Sequence, residues 1–307
     1  MMILSLLATC LHAVLCFAGA PLLWGLVNRL RARLTGQPRP SLKQPYRHLA
    51  KLLGKATLVP DTATDMFVFW PLVAFLALAM VMMLIPGFST GMVTAKASDY
   101  VTVMGLLALG RVAVMLGEME TGSALGGASV MRMALTGLCT EAICLLLLLV
   151  FASLAQSMNL DMIAQVPAGQ SVGLFVSMMF ALAAMLVVAF IGVGQGGFGV
   201  AQETMALEYS GRLKALLDYA AMLRLLVWMN LLICLFIPFG IAHAGHILSW
   251  PEGLLLWGVK LLCLSVGLAV FTVVRAEIRQ SKVPGILGST LFLGALAVIL
   301  LMVRVGG

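Results

Sequence analysis

At 307 residues, 62% hydrophobic and only 10% charged, with a mean hydropathy of +1.09, the chain lies far outside the composition of soluble domains. Apolar runs of about twenty residues recur along it with no period-two alternation, which leaves no room for a sizeable soluble domain and points to an all-α polytopic membrane protein. The net charge of +7 does not imply nucleic acid as a partner, because Arg29, Arg31, Arg33, Arg39, Lys43, Arg47, Lys51 and Lys55 crowd into one segment after an apolar run, the pattern that the positive-inside rule produces beside anionic headgroups of a lipid bilayer.

The first apolar run covers residues 3–27. Ala18-Gly19-Ala20 has the small residues of a signal-peptidase site, but no basic region precedes the run and it continues through Leu22, Trp24 and Val27, so an uncleaved helix is expected. Residues 28–65 form the longest polar segment. Within it, 46–55 sets Leu49, Leu52 and Leu53 on one helical face and Arg47, Lys51 and Lys55 elsewhere, which predicts an amphipathic helix lying at the interface. Further spans are predicted at 67–86, 100–117, 130–156, 171–193, 219–242, 253–274 and 286–303, about eight in all. An even number places both termini on one side. Loops 28–65, 118–130, 194–218 and 275–285 hold nearly every loop Lys and Arg, so they are predicted to be cytoplasmic and the termini periplasmic, in a bacterial inner membrane. No repeat or linker interrupts the pattern, and 1–307 is expected to form a single transmembrane domain.

A charge at bilayer depth is costly, so it normally faces the bundle interior with a partner. Arg111, Arg132, Glu141, Arg224 and Lys260 fall in the predicted spans, with Arg224 in the first turns of its span, and Glu118 and Glu120 lie in the glycine-rich connection 117–128. Glu141 follows Arg132 by nine residues, roughly 13 Å along a helix. Such groups serve a proton or ion path, a docking pocket for a charged partner, or an ion-pair network that only fixes helix packing. The glycines between 192 and 199 lack the lysine of a phosphate-binding loop and read as a flexible connection. None of the six cysteines forms a CxxC pair, and His243 and His246, three apart on one expected helical face, have no third ligand beside them, so no metal or other cofactor is expected. No nucleophile stands with a base, and catalysis by this chain alone is not expected.

With these residues in order, the chain resembles subunit 1 of respiratory complex I and its counterpart in group 4 NiFe hydrogenases, the subunit 4 membrane anchor of formate hydrogenlyase and hydrogenase-4; the anchor branch is the closer match. The resemblance rests on Ala32-Arg33 with Pro40, Gln44, Tyr46, Arg47 and Lys51-Leu52-Leu53, on Arg111, Glu120-Thr121-Gly122-Ser123, Arg132 and Glu141, and on Phe190-Ile191, Glu208-Tyr209-Ser210-Gly211, Phe236-Ile237-Pro238 and Lys260. It implies a non-catalytic subunit of a membrane-bound oxidoreductase. Such a subunit anchors a soluble arm, made of a hydrogenase-like large subunit and an iron–sulfur small subunit, from the cytoplasmic side. It also begins a polar path towards antiporter-like membrane subunits. The residues expected on that proton path are Glu120, Arg132, Glu141, Glu203, Glu208, Arg224 and Lys260, with Arg132 and Glu141 at its centre. Those expected at partner docking are Arg33, Arg39, Gln44, Tyr46, Arg47, Lys51, Arg111 and Tyr209. The chain departs from the family in the loop before Glu208, where Gly192, Gln195, Gly197 and Gly199 replace a glutamate, a lysine, a proline and an aspartate; this weakens the expectation of quinone coupling and pumping and leaves the anchor intact. A stand-alone secondary transporter and a purely structural membrane subunit are the alternatives.

Overall fold

A chain in hydrocarbon must close its backbone hydrogen bonds within itself, and this one does so as helices. The computed structural model describes residues 2–60, 63–165, 172–193, 209–274 and 282–305. Its helices are α1 (Met2–Leu34), α2 (Gln44–Leu53), α3 (Met66–Leu84), α4 (Tyr100–Met119), α5 (Ala124–Ala155), the short α6 (Leu160–Ile163), α7 (Val172–Val193), α8 (Gly211–Phe236), α9 (Trp250–Val274) and α10 (Val283–Val305). Among the described residues seven helices are long and apolar enough to cross a membrane, and Val176–Ile191 within α7 is a shorter apolar stretch. The protein is therefore an all-α multi-pass membrane protein, with seven qualifying spans where eight were expected.

Several boundaries differ from the sequence expectation for identifiable reasons. The first helix runs on through Arg29, Arg31 and Arg33 to Leu34, because arginine is a good helix former and its charge suits a helix C-terminus. The glycine-rich connection shrinks to residues 120–123: α4 continues to Met119, and Ser123 Oγ accepts from the Gly126 N–H at 2.9 Å to cap α5. The α8 helix starts at Gly211 and ends at Phe236, as Pro238 disfavours helical geometry in Ile237. Arg224 consequently sits in the middle of its helix and not in its first turns.

Helix α8 is the axis of the bundle, in contact with α1, α2, α3 and α7. From Ala220 to Leu235 its side chains are buried on every face except at half-buried Arg224. One of its ties answers a backbone defect. Pro21 lies inside α1 and has no N–H for the Phe17 carbonyl four residues back. The Tyr219 hydroxyl of α8 donates to that carbonyl at 2.8 Å, and the Tyr46 hydroxyl of α2 donates to the next one, Ala18 O.

At one end of the bundle, which also carries the basic segment, α2 crosses α1 as a strap. It begins and ends two residues earlier than expected, since Pro45 suits its first turn and is buried there with Leu52. Gly25 of α1 faces the crossing, where a Cβ would stand 2.9 Å from Leu42 O and 3.3 Å from Pro45. His48 Nε2 meets Asp218 Oδ2 at 3.0 Å, and the Leu58 N–H donates to Ser210 Oγ at 2.8 Å.

The opposite end is closed by a clasp of three loops. Strand β1 (Ser89–Thr90) pairs in parallel with β2 (Ala242–His243), which places His243 on a strand and His246 in a following turn and not on a helical face. Leu160 N–H donates to Ser98 O at 2.8 Å, and Asp161 Oδ2 accepts from the Gly91 N–H at 2.6 Å. Burial raises the Asp161 carboxyl above its ordinary range, opposed by the Gly91 hydrogen bond and by His243.

Two outcomes follow from these ties. Tyr219→Phe leaves the Phe17 carbonyl without its donor and is expected to cost about 1–3 kcal/mol, read as a lowered melting temperature in detergent. The folded protein holds the Asp161 proton more tightly than the unfolded chain, so this group makes stability fall as pH rises from about 4 towards its raised folded value. Asp161→Asn, which still accepts from Gly91, should flatten that slope in melts at acid and neutral pH; an unchanged slope would refute the assignment.

Candidate charge-bearing site

The α4–α5 hairpin carries the charges that must be accounted for at depth. Arg111 and Glu118 are seven residues apart on α4, two turns, and so share one face about 10 Å apart along the axis. The antiparallel α5 presents a matching set. Ser129 Oγ donates to Glu118 Oε2, and Arg111 Nη1 reaches Glu141 Oε1 at 3.0 Å. Gly137, one turn before Glu141, is what admits the arginine: a Cβ there would collide with Arg111 Nη1 and stand 2.8 Å from its Cδ. The pair is lopsided, with the Arg111 side chain 14% exposed and that of Glu141 43% exposed. The arginine is thus held inside the hairpin while the carboxylate opens on the bundle surface. Arg224 of α8 lies within electrostatic reach of Arg111.

The expected residues separate into groups. Glu141 lies on α5, and its partner is Arg111, which was expected at partner docking. Arg132 lies exposed near the start of α5, a turn and a half ahead of the Arg111 contact at Gly137. A nine-residue separation on one helix holds Arg132 and Glu141 some 13 Å apart along the axis, in keeping with the sequence expectation. Glu120 lies in the turn after α4 and accepts from Thr64 Oγ1, joining that turn to the chain before α3. Lys260 Nζ donates to Ile237 O at 2.7 Å and also to Phe239 O, carbonyls left open where α8 breaks at Pro238; this caps a helix C-terminus with a cation. Tyr209 is buried at 3%, stacked on Phe67 with ring centroids 4.3 Å apart and its hydroxyl against Gly117, inside the subunit and not on its surface. Arg33, Arg39, Gln44, Tyr46, Arg47 and Lys51 are all exposed at the basic end. Glu203 and Glu208, and the glycine segment before them, lie outside the described residues.

Sequence reasoning left Glu118 in a loop. It is buried, 1% exposed, on the last turns of α4. Its seven-residue spacing from Arg111 is the signal that identifies it, since that spacing returns to the same helical face. Gly137 carried no signal of its own. Among the described residues, no three potential metal ligands of the His, Cys, Asp or Glu types come together.

Comparison with known proteins agrees with this architecture. A family profile described as NADH dehydrogenase matches residues 5–303. The chain is 29% identical over 296 residues to formate hydrogenlyase subunit 4 of Escherichia coli (strain K12), spanning 92% of this chain and 94% of that protein. It is 31% identical over 262 residues to hydrogenase-4 component C of the same organism, spanning 83% of this chain and 82% of that protein. Its fold superposes on a chain of the membrane-bound sulfane sulfur reductase, an archaeal respiratory membrane complex, with a TM-score of 0.75 over 95% of this chain and 99% of that one, at 15% identity.

Replacing Gly137 with valine should expel the Arg111 side chain and separate it from Glu141. The expected reading is a loss of about 1–3 kcal/mol in stability, and the same change made in an Arg111→Met background should cost markedly less. Equal costs in the two backgrounds would show that the glycine does not serve the pair.

Proposed function

Because the chain belongs to the NADH dehydrogenase family, we propose that it is the integral membrane subunit of a complex I-like oxidoreductase of the group 4 hydrogenase type. It anchors a soluble electron-transfer arm and relays protons within the membrane. One observation carries this reading: the row Glu118, Arg111 and Glu141 runs inward from the same end of the bundle that carries the exposed basic strap. Its two relatives are named as a subunit of formate hydrogenlyase and a component of hydrogenase-4, which supports an assembly of that kind.

In this reading the basic end faces the cytoplasm, as the positive-inside rule requires, and both termini face the periplasm across the bacterial inner membrane. Arg33, Arg39, Gln44, Arg47 and Lys51 receive a hydrogenase-like large subunit and an iron–sulfur small subunit, with Tyr46 fixing the strap to α1. Glu118 and Glu120 stand at the cytoplasmic mouth of the path. Glu141, open on the surface of α5, hands the path to an antiporter-like membrane subunit. Arg111, paired with Glu141, places a positive charge on this path and balances the carboxylate there. Electron chemistry belongs to the partners. A purely structural role suits Lys260 better, since its ammonium is engaged with the open end of α8.

Purification in mild detergent is expected to bring down an iron–sulfur partner, and charge reversal by Arg47→Glu with Lys51→Glu should reduce that recovery several-fold. Recovery of the subunit with no such partner would defeat the anchor. Glu141→Gln should leave assembly normal while proton-coupled activity falls; unchanged coupling would leave the pair a purely structural element.

A further inference from the structure

One charge of the bundle has no answer within it. Arg224 lies thirteen residues into α8, roughly 20 Å from the helix start at Gly211 and near the middle of a span long enough to cross the bilayer. Other cations of the spans have partners: Arg111 holds Glu141, and Lys260 holds the carbonyls of Ile237 and Phe239. Among the described residues Arg224 makes no hydrogen bond, ion pair or ring contact. An arginine cannot shed its proton to escape this cost, and its guanidinium is a planar fork of donors with no acceptor of its own. A charge at this depth is tolerated only where something balances it.

The structure leaves Arg224 open on one side. Ala220, Ala221, Val227 and Trp228, one turn away in each direction, are buried, whereas Arg224 itself is only half-buried. Its helix is packed against α1, α2, α3 and α7, and Arg224 stands within electrostatic reach of Arg111 inside the α4–α5 hairpin, so the opening lies within the bundle. The carboxylates of the hairpin are engaged elsewhere. Glu141 is held by Arg111 with its side chain 43% exposed on the outer surface, and Glu118 meets Ser129 two turns further along α4. Arg111, Arg224 and Glu141 together leave a single positive charge.

We propose that Arg224 binds a small monovalent inorganic anion, of the size and charge of chloride. The chemistry selects that class. One negative charge balances the group, whereas sulfate or phosphate would overshoot it and would have to lose far more hydration on entering. A cation is repelled by both guanidiniums. Water alone can bond to the fork but leaves its charge unbalanced. The guanidinium is itself weakly hydrated, which suits a weakly hydrated halide. The site follows from the charges of this chain, and it stands or falls separately from the anchor and from proton transfer at Glu141.

The test uses the purified assembly in detergent and gluconate buffer, with radiolabelled chloride as the probe. Saturable binding is expected, displaced by bromide and not by sulfate. Arg224→Gln should abolish it, and Arg224→Lys, which keeps the charge without the planar fork, should weaken it several-fold. The melting temperature should rise as chloride replaces gluconate at constant ionic strength in the unaltered protein, and stay flat in Arg224→Gln. A folded Arg224→Gln assembly that still binds chloride as the unaltered one does would assign the ion to the exposed basic strap and overturn the site. So would an unaltered assembly with no saturable binding. If Arg224→Gln fails to assemble, crystals of the unaltered protein soaked in bromide decide. An anomalous peak in contact with the guanidinium is expected there, and a well-ordered Arg224 without one refutes the ion.

Discussion

Hydrocarbon offers no partner to a carbonyl, an amide or a charge, and most of the long-range ties in this protein are answers to that constraint. Pro21 opens a carbonyl in α1, and Tyr219 reaches across from α8 to close it. Pro238 ends α8, and Lys260 of α9 takes the carbonyls left open there. Arg111 cannot be left alone at depth, and Glu141 is within reach because Gly137 removes the obstacle. Each tie joins two helices that apolar contact alone would hold without fixing their register. Dispersion between leucines tolerates sliding by a turn; a hydroxyl on one particular carbonyl does not.

The same logic divides the charged residues by role. Lys260 spends its donors on backbone carbonyls and is bound to a structural duty. The Arg111–Glu141 pair is different, because its carboxylate is 43% exposed on the face of the bundle. A half-open carboxylate in an ion pair at bilayer depth is accessible from outside the bundle, as the Lys260 ammonium, engaged with two carbonyls, is not. The two ends of the bundle are equally distinct. One is an exposed basic strap; the other is a clasp, knitted by backbone bonds and by Asp161 on Gly91.

Much of this was legible in the linear chain. Apolar runs gave the spans, clustered arginines and lysines gave the basic end, and the isolated charges marked the hairpin from 111 to 141. What the linear chain did not record was specific. The partner of the Glu141 carboxylate, Arg111, comes from the preceding span, thirty residues earlier. Glu118 was placed in a loop because the glycines after it looked like helix breakers, whereas Ser123 caps the next helix and lets Gly126 and Gly127 join it. Tyr209 follows a glutamate in a polar motif and reads as a surface residue, yet its ring is stacked on Phe67.

The sequence alone determined that this protein lives in the bilayer as helices, and which end of them carries positive charge, because hydropathy and loop charge are local sums along the chain. It also located the costly charges, since any ion within an apolar run is conspicuous. Only the tertiary structure decided which charges meet and which tyrosines reach the carbonyls beside Pro21. Those outcomes depend on distances between helices far apart in the chain, and in a chain this uniformly apolar no periodic pattern records them.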